Sequence, residues 1–261
     1  MVTADLHIHT THSDGAMSFE DVAPAARQAG VEVVCITDHD RLQPHLDAPV
    51  QTVDGVEMIH GIELRVDTGA FRVDLLGYGV APTERLIEEC ERLQADRIRR
   101  ARAITEQVEA RLDIEIDVTF ENGVGRPHIA HAIADVAPEW SFPEPFDGLI
   151  GEGDPCYVAR NVPSFERGVD ILTEACDIVG LAHPFRYRET TAALELCEHL
   201  DAVEAHYPYG HEIDKAALET TIEQYDLLGM GGSDAHNDVL GRAGLDEQQF
   251  EPVRNVLSGA S

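Results

Sequence analysis

Histidine, aspartate and glutamate residues recur in this chain at the ends of short apolar runs, and this placement constrains the fold more than any other feature. The first run, ADLHIHTTHSDG, sets His7 and His9 two residues apart. In an extended strand, residues i and i+2 face the same side. Both imidazoles can therefore address one point while Leu6 and Ile8 pack on the other face. The same spacing returns near the C-terminus in GGSDAH, with Asp234 and His236. Between these come TDHD (Asp38, His39), GIE (Glu63) and LAHP (His183). Imidazoles and carboxylates delivered pairwise from strand ends are how proteins hold transition-metal cations. The pattern points to a metal-dependent hydrolase.

Strand-like segments rich in Val, Ile and Leu fall near residues 3–9, 32–37, 56–63, 71–78, 178–182, 201–206 and 227–232. Helical stretches alternate with them. Ser18 is placed to cap a helix running to about Gln28 and closed by Gly30, with Pro24 as a source of a kink or a later start. Thr83 opens a long charged helix to about Leu112, Ser164 another to about Asp177, and residues 211–225 read as a third. Such alternation predicts a mostly parallel sheet. Ligands at strand C-terminal ends then suggest a barrel with its site on that face. Residues 117–160 break the rhythm with ten glycines and prolines. They are expected to form a small insertion in a single domain spanning 1–261, with a short helix starting at Pro127.

The chain has 261 residues, 43% of them hydrophobic, enough to build one large α/β core. It carries 49 acidic against 19 basic residues, a net charge of −30, and Lys215 is its one lysine. Self-repulsion on this scale is tolerable where salt shortens the screening length to about 3 Å at 1 M, which suggests a halophilic host. The same excess argues against tight binding of long nucleic acid. Five cysteines, odd in number and without a C-x-x-C pair, are expected to be free and mostly buried. No apolar run approaches the roughly 20 residues that span a bilayer. Met1 leads almost directly into the first strand without room for a signal peptide. The expectation is a cytoplasmic protein with no membrane contact and no stable protein partner.

Taken together, HIHTTHSDG, ITDHD, GIE, VDLLGYG, RPHIA, LAHP and GSDAH are similar in order and spacing to the motifs of the PHP (polymerase and histidinol phosphatase) family, from residue 3 to about residue 241. Within it the chain resembles the stand-alone phosphoesterases acting on nucleotide phosphates and short oligonucleotides. The resemblance implies a distorted (β/α)7 TIM-like barrel and two or three divalent ions, Mn, Zn, Fe or Mg. Carried onto this chain, His7, His9, Glu63 and Asp234 hold a first ion. Glu63 bridges to a second, completed by His183 and position 74, while Asp14, His39 and His236 hold a third. Position 74 departs from the family, which places a histidine before LLGY where this chain has Asp74. A carboxylate is a harder ligand and adds negative charge, which favours manganese or magnesium or weakens that site.

Adjacent residues in a strand face opposite ways, so His39 is taken as the ligand and Asp38 as bonded to backbone or to an imidazole. Pro184 is expected to hold His183 in an extended backbone form. Arg126, His128, Arg186 and His211 are candidate substrate contacts, the arginines for forked contacts to phosphate oxygens. The implied reaction is phosphate-ester hydrolysis by a metal-bound hydroxide, centred on Glu63, Asp234 and His236, with a small phosphorylated substrate such as a nucleotide or short oligonucleotide. No G-x-S-x-G and no glycine-rich phosphate loop is present. The alternatives are a 5′-to-3′ exonuclease on short oligonucleotides, a histidinol-phosphatase-like enzyme, and a non-catalytic module of the same fold.

Overall fold

The structure, a computed structural model, describes residues 1–259. Its strands are β1 (Ala4–Ile8), β2 (Val33–Ile36), β3 (Val50–Val53), β4 (Val56–Asp67), β5 (Arg72–Tyr78), β6 (Ile178–Leu181), β7 (Ala202–His206) and β8 (Leu228–Gly231). Its helices are α1 (Phe19–Ala29), α2 (Glu84–Leu112), α3 (Arg126–Val136), α4 (Phe165–Ala175), α5 (Thr190–Glu195), α6 (Lys215–Tyr225) and α7 (Glu247–Gly259). The seven predicted strands fall where the apolar runs lie. The short, partly exposed β3 gives no comparable apolar signal.

Among the described residues, the strands form one curled, mixed sheet in the order β1-β2-β4-β5-β6-β7-β8, with β3 paired to β4. The two flanks are parallel, as the alternation of strands and helices predicts, but β5 is antiparallel to both β4 and β6. The reason is local. β4 continues to Asp67 and turns back through Thr68, whose N–H donates to the Phe71 carbonyl at 2.9 Å, so no crossover helix intervenes. The curl brings the segment after β8 alongside β1, where His9 N donates to the Ala235 carbonyl at 2.9 Å. Gly232 makes this approach possible: a Cβ there would lie 2.3 Å from the His7 Cβ.

The chain divides into two compact units, one of residues 1–90 with the segment from Val162 onward, the other Glu91–Asn161. In the first, Leu6, Ile59, Leu76, Tyr78, Met230 and Phe250 form a buried core against the sheet. In the second, Ile104, Val108, Ile129, Ile133 and Leu149 form a core of their own. The predicted insertion 117–160 lies within this second unit, which also takes in α2 from Glu91.

Helix ends follow the capping residues. Gly30 closes α1 at φ 73°, and the helix runs through Pro24 from Phe19. Ser18 does not cap it through the backbone; its hydroxyl donates to Asp21 at 2.6 Å instead. The Ser164 hydroxyl accepts from Arg167 N at the start of α4. The helix expected over 211–225 begins only at Lys215, because the Asp214 carboxylate accepts from Ala217 N and caps it there. All five cysteines are free, and four are buried. No helix of the described residues is long and apolar enough to cross a membrane.

Candidate metal centre

The ligand-type side chains converge within the first unit. His7 comes from β1 and His9 from the residue after it, Glu63 from the middle of β4, and His39, His183, Asp234 and His236 from segments following β2, β6 and β8. Three groups bring their ligand atoms within 4.8 Å of one another: His7, His9, Glu63 and Asp234; His9, Asp14, His39 and His236; Glu63, Asp74 and His183. His9 belongs to two of these groups and Glu63 to two. Nε2 of His7 and of His9 each lie 3.3 Å from Glu63 Oε2, and 3.5 and 3.2 Å from Asp234 Oδ1. His39 Nδ1 stands 3.0 Å from the same Glu63 oxygen, and His236 Nε2 3.3 Å from Asp14.

The fit to a divalent cation is plainest in the first group. His7 Nε2, both nitrogens of His9 and Glu63 Oε2 are buried, and none has a hydrogen bond among the described residues. Buried polar atoms are rarely left so, because an unmade bond costs about 1–3 kcal/mol. A cation among them would satisfy them together. Charge points the same way. Burial alone would lower the His9 imidazole, but Asp234 and Glu63 outweigh it and lift it to about 10. Burial likewise works against protonated His7, yet Glu204, Glu63 and Asp234 hold it well above the ordinary value. Burial would raise the Glu63 carboxyl, but His39 and His7 hold it well below its usual range. The pocket's field therefore favours positive charge, which a divalent ion can supply while leaving the imidazoles neutral.

A support absent from the sequence reading is Glu204 on β7, buried to 1% exposure. Its Oε1 lies 3.0 Å from His7 Nδ1, and its Oε2 accepts from His183 N at 2.7 Å. A carboxylate on Nδ1 turns Nε2 toward the centre. The signal was available: an acid inside the apolar run DAVEAH must be paired if buried. Asp38 accepts from Thr10 N at 2.8 Å, from the hydroxyls of Thr10 and Ser13 at 2.7 Å each, and from Gln43. It thus holds the loop after β1, bonded to backbone as its parity suggests. Asp234 Oδ2 accepts from the Tyr207 hydroxyl at 2.8 Å and from Arg186 Nη1 at 2.9 Å.

One expectation changes. His183 is not extended: its φ of 29° and ψ of 61° are left-handed despite Pro184. Its N–H is tied to Glu204 and its carbonyl accepts from Arg186 N, and these bonds hold a conformation the local sequence disfavours. Asp74 lies beside Glu63 and His183 as the motif implies, but its carboxylate is gripped by Arg65 from the opposite strand, Nε to Oδ1 at 2.7 Å and Nη2 to Oδ2. His211 is exposed, with Nδ1 against the Glu212 carbonyl. Arg126 and His128 belong to the second unit. There Arg126 donates to the Ile150 carbonyl, and the His128 ring accepts from Gly125 N at the start of α3.

The PHP domain family model matches residues 5–240. A 3′,5′-nucleoside bisphosphate phosphatase of Chromobacterium violaceum is 27% identical over 198 residues, covering 72% of this chain and 68% of that protein. The 5′-3′ exoribonuclease Rnm of Escherichia coli is 25% identical over 250 residues, 90% of this chain and 85% of that one. The solved structure of a predicted metal-dependent phosphoesterase from Bifidobacterium adolescentis shares the fold, with a TM-score of 0.77 at 23% identity over 98% of this chain and 95% of that one.

Proposed function

The chain belongs to the PHP domain family, and from that premise we propose that it is a metal-dependent phosphoesterase acting on small phosphorylated molecules of the nucleotide type. The observation that carries this reading is the convergence on Glu63 and His9, with imidazole nitrogens and a carboxylate oxygen buried and unbonded around one point. His7, His9, Glu63 and Asp234 would hold one divalent ion, and Asp14, His39 and His236 with His9 another. Mixed imidazole and carboxylate donors suit Mn, Zn or Fe, and Mg where oxygens dominate. Such ions supply Lewis acidity, making a water acidic and offsetting charge on phosphoryl oxygens.

The protein's own groups do the rest. Glu204 orients His7, and Tyr207 with Arg186 orients Asp234. Arg186 is half exposed beside Asp234, so its remaining N–H groups can grip a phosphate oxygen at the mouth of the site. His236, 40% exposed, borders the same mouth. The named relatives include a nucleoside bisphosphate phosphatase and an exoribonuclease, and bound ions of this kind can assist cleavage of either sort of phosphate ester. We read the curled sheet as a distorted (β/α)7 barrel, and the charge of −30 as an adaptation to a salt-rich cytoplasm.

The test is purification in high salt, determination of bound metal, and assay of nucleotide bisphosphates, phosphosugars and short oligonucleotides with manganese. Phosphate release by the wild-type chain is expected, and its loss in His9→Ala and Asp234→Asn. Wild-type turnover in either variant would sink the assignment. Preference for oligonucleotides over mononucleotides would establish the exonuclease instead.

A further inference from the structure

We propose that the Arg65 guanidinium serves as the fixed cation on the Oε1 side of Glu63, in place of a divalent ion, so that this chain holds two metal ions and not three. The inference rests on the metal-centre reading and concerns the Glu63, Asp74 and His183 group, whose three side chains are all buried.

Proximity alone would allow a metal there, but the donor atoms are already engaged. Each oxygen of Asp74 accepts one bond from the forked guanidinium, Nε on Oδ1 at 2.7 Å and Nη2 on Oδ2. His183 Nε2 is 3.1 Å from Glu63 Oε1 and hydrogen bonded to it. Its unbonded nitrogen, Nδ1, is on the other edge of the ring. On the Oε2 side His7 Nε2 and His9 Nε2 reach toward Glu63 at 3.3 Å with no hydrogen bond among the described residues, and His39 Nδ1 stands at 3.0 Å. A divalent ion on Asp74 Oδ2 would share that oxygen with a guanidinium already bonded to it, setting two cations side by side on one buried carboxylate while Arg65 itself stays 37% exposed. Without Asp74 only Glu63 and His183 remain, one donor short of the three protein ligands usual in catalytic sites.

The geometry that creates this pair is local and specific. Arg65 lies two residues beyond Glu63 on β4 and so on the same face, and its Cα partner across the β4–β5 ladder is Asp74 itself. Asp74 N also donates to the Tyr187 hydroxyl at 2.9 Å, which pins the residue from its backbone. An Arg–carboxylate fork is rigid and permanently charged. A positive charge at this position therefore does not depend on metal supply.

The test is a metal count on the intact chain. The protein is dialysed to saturation with manganese in molar salt, which suppresses loose binding to its acidic surface, and bound manganese per chain is measured. Two ions are expected for the wild type, three for Arg65→Met, and two for Arg65→Lys. Asp74→Asn in the wild-type background should leave the count at two, and it serves as the second variant if Arg65→Met does not fold. A count of three in the wild type overturns the proposal, as does a drop of one ion in Asp74→Asn or a count still at two in folded Arg65→Met. A wild-type count of zero would instead remove the metal centre itself, and the inference with it.

Discussion

The two oxygens of Glu63 look into opposite surroundings. Oε2 faces imidazole nitrogens of His7 and His9 that are buried and unbonded, with His39 at 3.0 Å. Oε1 faces a closed set, with His183 bonded to it and Asp74 bonded to Arg65. The residue types on the two sides are nearly the same, histidine and carboxylate. What differs is whether their polar atoms are already satisfied. Ligand-type residues gathered at one point form a metal site only where the protein leaves them in want of positive charge.

Four measurements bear on this contrast. The largest effect is expected from Glu63→Gln, which removes the carboxylate common to both sides. Turnover should fall on the order of a thousand-fold, as when a principal transition-state support is lost, and bound metal should fall with it. Retained turnover would show that the two sides are not one site. Next is Asp38→Asn. Asp38 is a carboxylate each of whose oxygens accepts two hydrogen bonds, where each oxygen of Asp74 accepts one. Its loss should destabilise the fold by about 3 kcal/mol, read from the denaturant midpoint, without changing the metal count. A lost ion would mean that a hydrogen-bonded carboxylate can also ligate, and would weaken the contrast.

Glu204→Gln acts on the open side through His7. It should weaken metal affinity by about 10–100-fold, measured by competition with a chelator, and an unchanged affinity would leave Glu204 a packing residue. The smallest effect is on pH dependence. In chelated protein, carboxylates hold the His9 imidazolium up to about 10 against an ordinary 6.5. A raised folded-state pKa gives stability that is complete below about 6.5 and lost as pH rises toward about 10. Thermal melts with chelator should show this decline. Melts with manganese should flatten it, and manganese binding should release protons. Equal slopes with and without metal would count against a cation replacing the imidazolium charge.

The sequence was most readable where side-chain period and backbone agree. His7 and His9 share a face because a strand alternates, and the apolar runs around the motifs became strands at nearly the predicted bounds. Asp38 was separated from His39 by the same parity. Legibility failed where a residue's state depends on a distant partner. Glu204 lies 197 residues from the His7 it orients. The antiparallel middle of the sheet follows from the turn at Thr68, which periodicity does not encode. His183 shows the limit most sharply, since the rule for a residue before proline was overridden by bonds to Glu204 and Arg186.

By itself, then, the amino-acid sequence determined which side chains are delivered to strand ends, on which face, and in what chemical variety. It did so because alternation, capping and apolar runs act over a few residues. Tertiary structure alone decided which of those groups stay open to a cation and which are closed by a neighbour. Arg65 and Asp74 stand nine positions apart and become partners only when β4 folds back on β5. Their mutual charge then settles what the sequence order leaves open.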